Sequence, residues 1–410
     1  MYIYKVGVIG AGAMGAGIAQ VITYAGIPVI LKDVTQQQVD RGLKAIRGIY
    51  QGRVDRGKMT ASEMEQKMAL VTGATDYSGF SDVDLVIEAI FEDISVKQKL
   101  FCELESVCSE NTLLTSNTSS LPISAIAAAT KRPEKVIGFH FFNPAPAMKL
   151  VEIIPGLATS RETIDDLVMF SESIRKIPIR VTECAGFLVN RLLMPYLNES
   201  AIALQEGVAS AKEIDEAMVA FGMPMGPFAL LDTIGIDVSV KVAEILYDAY
   251  GSRMKPAKIL SALYQAGRLG VKSGAGFYGP YGESADGGVV GVSGLSEIIA
   301  AIGDKKASAS SSGIPSRLVM TMVNEAVIAL QEGVASASDI DIAMMAGTGF
   351  PQDKGGPLHY ADQIGIDTVY ATLKQLASDQ GERFWPAPML KRMMGANYLG
   401  KKSGKGFFNY

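Results

Sequence analysis

The chain has 410 residues, 48% of them apolar and 20% charged, which supports about two to four folded domains and excludes a disordered chain. Its net charge of −5 argues against a duplex nucleic-acid binder or a polybasic membrane-surface protein. Three cysteines, Cys102, Cys108 and Cys184, show no C-x-x-C spacing, so no disulfide framework or metal centre is expected and a reducing, cytoplasmic setting fits.

The N-terminus runs directly into a strand pattern, with no apolar signal region and no small-residue cleavage site. No uncharged apolar run reaches the length of about 18 residues that a membrane span requires. Strands are predicted at Lys5–Ile9, Val29–Lys32, Leu70–Thr72, Leu85–Glu88, Leu113–Ser116 and Val136–Phe141. The early ones are nearly continuous apolar runs, as parallel strands buried on both faces require, and they alternate with helical stretches. This alternation predicts a doubly wound α/β domain over residues 1–184.

The first strand leads into Gly10-x-Gly12-x-x-Gly15, with Met14 inside the loop and a small-residue helix after it. Gly10 permits a tight turn, Gly12 lets the backbone approach a pyrophosphate, and Gly15 allows close helix–strand packing. The helix N-terminus then offers free N–H groups to phosphate. Asp33 ends the next strand, where a carboxylate accepts from a ribose 2′-hydroxyl and repels a 2′-phosphate. The pattern predicts a Rossmann dinucleotide site selective for NAD over NADP. Beyond it, residues 41–67 are locally basic (Arg41, Lys44, Arg47, Arg53, Arg56, Lys58 and Lys67) and read as a helical excursion.

Residues 136–154 place two apolar runs around Asn143-Pro144-Ala145-Pro146, a strong turn signal. A hairpin centred there sets His140 opposite Glu152, with Cβ atoms about 4.5–5.5 Å apart. A glutamate in an apolar strand is costly unless paired. Paired, it fixes the imidazole tautomer and makes His140 a competent general base; a buried pair without chemistry is the alternative. The second histidine, His359, lies in a region where its first-copy counterpart, described next, has no histidine, and a structural or surface role suits it better.

After Cys184 the pattern turns helical and repeats itself. Ile202–Ala211 and Ile328–Ala337 both read IALQEGVASA. Arg191 then pairs with Arg317, Asn198-Glu199 with Asn324-Glu325, Gly226-Pro227 with Gly356-Pro357, and Gly276-Phe277 with Gly406-Phe407. This is a duplicated helical domain, expected over 185–282 and 313–410, with a Gly/Ser-rich linker at 283–312. Asn190 of the first copy falls opposite Ser316 of the second, so the copies differ at that position. Ser210-x-x-Glu213 is a capping box, and Pro227 and Pro357 suit first-turn positions. The fold class is thus an α/β Rossmann domain followed by two tandem all-α domains.

The segments GAGAMGAGIAQ (10–20), SNTSSLPI (116–123), GFHFFNPAPAMKLVEII (138–154), GFLVNRLLMPYLNE (186–199), GPFALLDTIGID (226–237) and LGVKSGAGFY (269–278) together resemble the L-3-hydroxyacyl-CoA dehydrogenases of fatty-acid β-oxidation and butanoate metabolism. The duplicated helical part is similar to the dehydrogenase portion of multifunctional β-oxidation enzymes. The resemblance implies NAD-dependent oxidation of L-3-hydroxyacyl-CoA to 3-ketoacyl-CoA. It implies His140 as base, Glu152 as its orienting partner, and Ser119 and Asn190 at the reacting oxygen. Glu92, Lys97, Asn117 and Asn143 then belong with Gly10, Gly12, Met14, Gly15 and Asp33 among the cofactor contacts. The basic segment, through Lys58 and Arg53, becomes the candidate for the CoA phosphates. A monomer or homodimer is expected, in association with a hydratase or thiolase, with no nucleic acid and no membrane as partner. Two rival readings stay open: a dehydrogenase of a β-hydroxyacid without CoA, and a non-catalytic NAD-binding protein.

Overall fold

Short apolar runs, buried on both faces except at the two sheet edges, build the sheet of the first of two compact units, Met1–Phe187. The structure, a computed structural model, describes residues 2–280, 294–304 and 313–410. The strands are β1 (Val6–Ile9), β2 (Val29–Lys32), β3 (Val71–Ala74), β4 (Leu85–Glu88), β5 (Leu113–Ser116), β6 (Val136–Phe141), β7 (Leu150–Pro155) and β8 (Ile177–Arg180). Their order is β3-β2-β1-β4-β5-β6-β7-β8. The first six are parallel, β7 returns antiparallel to β6, and β8 lies parallel to β7. The order reverses at β1, between β2 and β4, so the crevice outside the strand C-termini opens there, where doubly wound sheets take ligands.

Helices α1 (Ala13–Tyr24), α2 (Gln36–Asp55), α3 (Ala61–Met68), α4 (Ile94–Val107), α5 (Ile123–Ala127) and α6 (Arg161–Ser173) complete this unit. Local chemistry starts them. The Thr35 hydroxyl caps α2, Thr60 and Glu63 form a capping box on α3, and Asp93 accepts from Ser95 and Val96 at the head of α4. By contrast, α1 begins at Gly12 with no side-chain cap. The predicted basic excursion is the α2–α3 pair, in which Arg47 forms an ion pair with Glu65.

The second unit, Leu188–Tyr410, is helical. It contains α7 (Val189–Gln205), α8 (Ala211–Phe221), α9 (Pro227–Ile234), α10 (Ile236–Tyr250), α11 (Lys258–Gln265) and α12 (Leu295–Ile302). Then come α13 (Ile314–Gln331), α14 (Ala337–Thr348), α15 (Pro357–Ile364), α16 (Ile366–Gln380) and α17 (Pro388–Gly395). Of the stretch read as linker, residues 283–293 and 305–312 lie outside the described residues. Its apolar patch forms α12, which packs on α11 and buries Ile298.

The repeat holds down to single hydrogen bonds. Asp215 caps α9 by accepting from Phe228 and Ala229, and Asp341 caps α15 by accepting from Leu358 and His359. Asp232 accepts from the amides of Phe277 and Tyr278, and Asp362 from those of Phe407 and Phe408. The long helices α7 and α13 pack on each other and exchange buried ion pairs. Arg191 meets Glu325 at 2.8 Å and Glu332 at 2.7 Å; Arg317 meets Glu199 at 2.6 Å and Glu206 at 2.8 Å. Among the described residues no helix is long and apolar enough to cross a membrane.

Candidate functional site

The hairpin register places Cα of His140 opposite Glu152, the pairing expected from the turn. Both side chains are buried, and Nδ1 lies 2.7 Å from Glu152 Oε2. An ionised Glu152 can only accept, so the Nδ1 proton points to it and Nε2 is left as the basic nitrogen. The imidazole sits among aromatic rings, 4.6 Å from the Phe142 centroid and 5.9 Å from that of Phe187. Asn143 follows in the exposed turn, joined to Pro144 by a cis peptide.

The ends of β4 and β5 supply a second group. Glu92 lies in the loop before α4, and its Oε1 accepts from Thr118 Oγ1 at 2.5 Å and from the Ser119 amide at 2.9 Å. Ser119 Oγ lies 3.4 Å from the same oxygen. Burial works to raise the Glu92 carboxyl, but the Lys97 charge and the bonds from Thr118 and Ser119 outweigh it and hold it below the usual range. Lys97, expected as a cofactor contact, has its side chain only 1% exposed. Its ammonium is held by Glu88 at 2.5 Å and Glu92 at 3.4 Å. Asn117, also expected there, uses Oδ1 to accept from the Phe141 amide at 2.8 Å, tying the end of β5 to the strand that carries His140.

The residues around the glycine loop fit a dinucleotide. A Cβ on Gly15 would lie 1.7 Å from the Gly10 carbonyl oxygen, so only glycine packs there. A Cβ on Gly12 would meet nothing within 4 Å, so the backbone faces open space beside the uncapped N-terminus of α1. Met14, at the second position of that helix, is half-buried. Asp33 stands at the end of β2 and braces the loop by accepting from the Ala11 amide at 2.7 Å. Phosphate at the helix terminus and a ribose hydroxyl at Asp33 match this donor and acceptor set.

Other candidates fall elsewhere. Asn190 belongs to the second unit, at the second residue of α7, and is half-buried. Lys58 is exposed between α2 and α3, whereas Arg53 donates to Tyr24 Oη at 2.9 Å and stacks 4.5 Å above that ring. His359 meets Asp341 at 3.0 Å and stacks on Phe408 at 3.8 Å.

Sequence reasoning missed Glu88, Ser116 and Lys176. Glu88 is fully buried at the tip of β4, and a glutamate ending the apolar run LVIE was the available signal. Lys176 is buried beside the hairpin turn and donates to the carbonyls of Ala145 and Met148, both at 2.6 Å. Nothing in its local pattern marks it.

Two family models match the chain. The 3-hydroxyacyl-CoA dehydrogenase NAD binding domain covers residues 5–184, and the C-terminal domain of the same family covers 186–279 and 314–410. Among solved structures, a 3-hydroxybutyryl-CoA dehydrogenase from Escherichia coli is 34% identical over 97% of this chain and 100% of its own, with a TM-score of 0.85. An (S)-3-hydroxybutyryl-CoA dehydrogenase from Ralstonia eutropha is 38% identical over 69% of this chain and 100% of its own, at 0.67. The dehydrogenase part of multifunctional enzyme 1 from C. elegans is 27% identical over 96% and 90%, at 0.66. With both family models matched end to end and these folds shared, the chain belongs to the NAD-dependent 3-hydroxyacyl-CoA dehydrogenases.

Proposed function

We propose that this chain interconverts an L-3-hydroxyacyl-CoA and the corresponding 3-ketoacyl-CoA in fatty-acid or butanoate metabolism, with His140 as the proton-transfer group. The observation that carries this is the buried His140–Glu152 pair, whose geometry commits Nδ1 and leaves Nε2 basic. NAD, when bound, supplies the acceptor for the C3 hydride. Nε2 of neutral His140 takes the 3-hydroxyl proton. Glu152 then lies against the imidazolium and offsets its charge at 2.7 Å. Ser119 orients the reacting oxygen, itself placed by Glu92. Asn190 is assigned to the same oxygen on the family resemblance. In reverse, Nε2 returns the proton to the developing alkoxide.

The glycine loop, Met14 and Asp33 hold the pyrophosphate and ribose, with Glu92 and Asn143 toward the nicotinamide. Lys97 and Asn117 support that site through the contacts described above. Lys58 is preferred to Arg53 for the CoA phosphates, because Arg53 is committed to Tyr24. The chain is taken to work as a monomer or homodimer in the cytoplasm, handing acyl-CoA to or from a hydratase or thiolase. In this reading the chain divides into a cofactor domain at 1–184, helical copies at 185–282 and 313–410, and a linker at 283–312.

The test is NADH oxidation with acetoacetyl-CoA. His140→Gln should lose about 10²–10⁴ in kcat while the Kd for NADH stays as in the wild type. Near-normal turnover of that variant would sink the assignment. Equal turnover of free acetoacetate would show that CoA is not recognised.

A further inference from the structure

The end of β4 carries a charge arrangement that the mechanism leaves unused. Glu88 is completely buried, and each of its oxygens is occupied. Oε1 accepts from Lys97 Nζ at 2.5 Å and from the Ile90 amide at 2.7 Å, and Oε2 accepts from Ser116 Oγ at 2.5 Å. Lys97 is equally buried, so its single ammonium is shared between two carboxylates, Glu88 close by and Glu92 Oε2 at 3.4 Å. Glu92 therefore faces two ways. Oε2 looks to Lys97, and Oε1 gathers Thr118 Oγ1, the Ser119 amide and Ser120 Oγ (3.2 Å). Glu88 also reaches this segment from the other end, since Ser116 Oγ accepts from the Thr118 amide at 3.2 Å.

We propose that Glu88 is a positioning residue for the reaction: by holding the Lys97 ammonium, it leaves Glu92 free to fix the 118–120 segment and so to orient Ser119. This rests on the role given to Ser119 above. The physical reason is competition for one buried cation. In a low-dielectric setting an ammonium that loses its nearer carboxylate turns to the remaining one. Without the Glu88 charge, Lys97 draws Glu92 toward itself, and the bonds from Glu92 to Thr118 and Ser119 are lost. A pair that served only to neutralise buried charge would affect folding and nothing else.

The full chain is measured as wild type, Glu88→Gln, Glu88→Asp and the double variant Glu88→Gln/Lys97→Met. Three readouts are used: the thermal midpoint, the Kd for NADH from its fluorescence, and kcat with acetoacetyl-CoA. Glu88→Gln should lose about tenfold or more in kcat and bind NADH more weakly, the size expected when one charge-assisted hydrogen bond is withdrawn. Removing the competing cation in the double variant should restore part of the kcat, because Glu92 can return to Ser119. Folded Glu88→Gln with wild-type kcat and Kd overturns the proposal, and so does a double variant no faster than Glu88→Gln. If Glu88→Gln does not fold, Glu88→Asp decides: its shorter reach should lower kcat, and wild-type kcat and Kd there overturn the proposal. Absence of turnover in the wild type would instead refute the proposed function, and the NADH Kd series would still report on Glu88.

Discussion

The second and third glycines of the Gly10-x-Gly12-x-x-Gly15 motif make opposite predictions from one substitution. For Gly12→Ala the new methyl meets no protein atom within 4 Å, and the backbone, at φ −69° and ψ −172°, is open to any residue. Alanine is a poorer helix cap than glycine, while its stiffer unfolded chain compensates, so stability should stay within about 0.5 kcal/mol. The methyl fills the space in front of the α1 N-terminus, where a pyrophosphate must approach. Loss of one hydrogen bond to a charged group is worth about 1.5–3 kcal/mol, or about 10–100-fold in the Kd for NADH. For Gly15→Ala the Cβ would lie 1.7 Å from the Gly10 carbonyl oxygen and 2.9 Å from its carbon. Backbone cannot rotate away, so α1 must shift against β1, at a cost of about 1–3 kcal/mol or more, and NADH binding falls with it. Urea unfolding and NADH fluorescence titration separate the two effects. Unchanged NADH binding by Gly12→Ala, or wild-type stability of Gly15→Ala, refutes the assignment of this loop.

Two further perturbations test the framework. Burial pushes the Lys176 ammonium down to about 8 from its ordinary 10.5. Between those values the unfolded chain still holds a proton that the folded chain has released, so stability rises with pH there and is flat below the window. Wild type should thus gain about 3 kcal/mol on Lys176→Met between pH 8 and 10.5, and a constant difference across that range contradicts the burial account. In the second unit, Arg191→Met and Arg317→Met each take one cation from a buried cluster in which Arg253 still faces Glu325 and Arg383 still faces Glu199, and should cost about 1–3 kcal/mol in urea unfolding, below the roughly 3–5 kcal/mol of a fully stranded charge. A cost under about 1 kcal/mol for either would show that the pairs are not needed to join the two copies.

How much the sequence disclosed depended on whether a feature is local. Five of the six parallel strands were legible because burial on both faces demands apolar runs, and the sixth, the edge strand β3, is partly exposed and was placed by the alternation with helices. The edge strand β8 was not, since Ile177-Pro178-Ile179-Arg180 is partly exposed and includes a proline, as edges permit. The facing of His140 and Glu152 followed from the turn, because a hairpin fixes register across its own centre. The Glu88–Lys97 pair joins a strand tip to a helix face, and no period links those positions. The resemblance gave Lys97 as a cofactor contact, and the enclosure of its ammonium by Glu88 and Glu92 was outside the reach of sequence. Arg53 likewise read as a free cation, because its place on Tyr24 depends on how α2 packs against α1. Ser119 and Asn190 stood on family resemblance throughout, since a polar residue beside a turn has a cap or loop role open to it at equal cost.

The two helical copies differ and agree in a physically ordered way. Arg191 of one copy faces Glu325 of the other and Arg317 faces Glu199, with Arg253 and Arg383 as the second cations on the same carboxylates, so changing Arg191 or Arg317 removes part of the charge that neutralises a buried glutamate in the opposite copy. Asp215 and Asp341, and Asp232 and Asp362, satisfy backbone amides that are otherwise buried without partners. Such residues are held in both copies by the cost of what they would leave behind. Under the proposed function the Asn190 amide serves the substrate and carries no such cost, and Asn190 is matched by Ser316. His359 fits the same logic. In the first copy the Tyr278 hydroxyl is the third donor to the capping Asp215, at 2.9 Å. In the second copy the matching residue is Phe408, which has no hydroxyl, and the His359 ring takes that place at Asp341. The histidine therefore completes a helix cap, and its stacking on Phe408 fixes it there. Both departures leave the second copy equipped to pack and to satisfy its own buried polar groups.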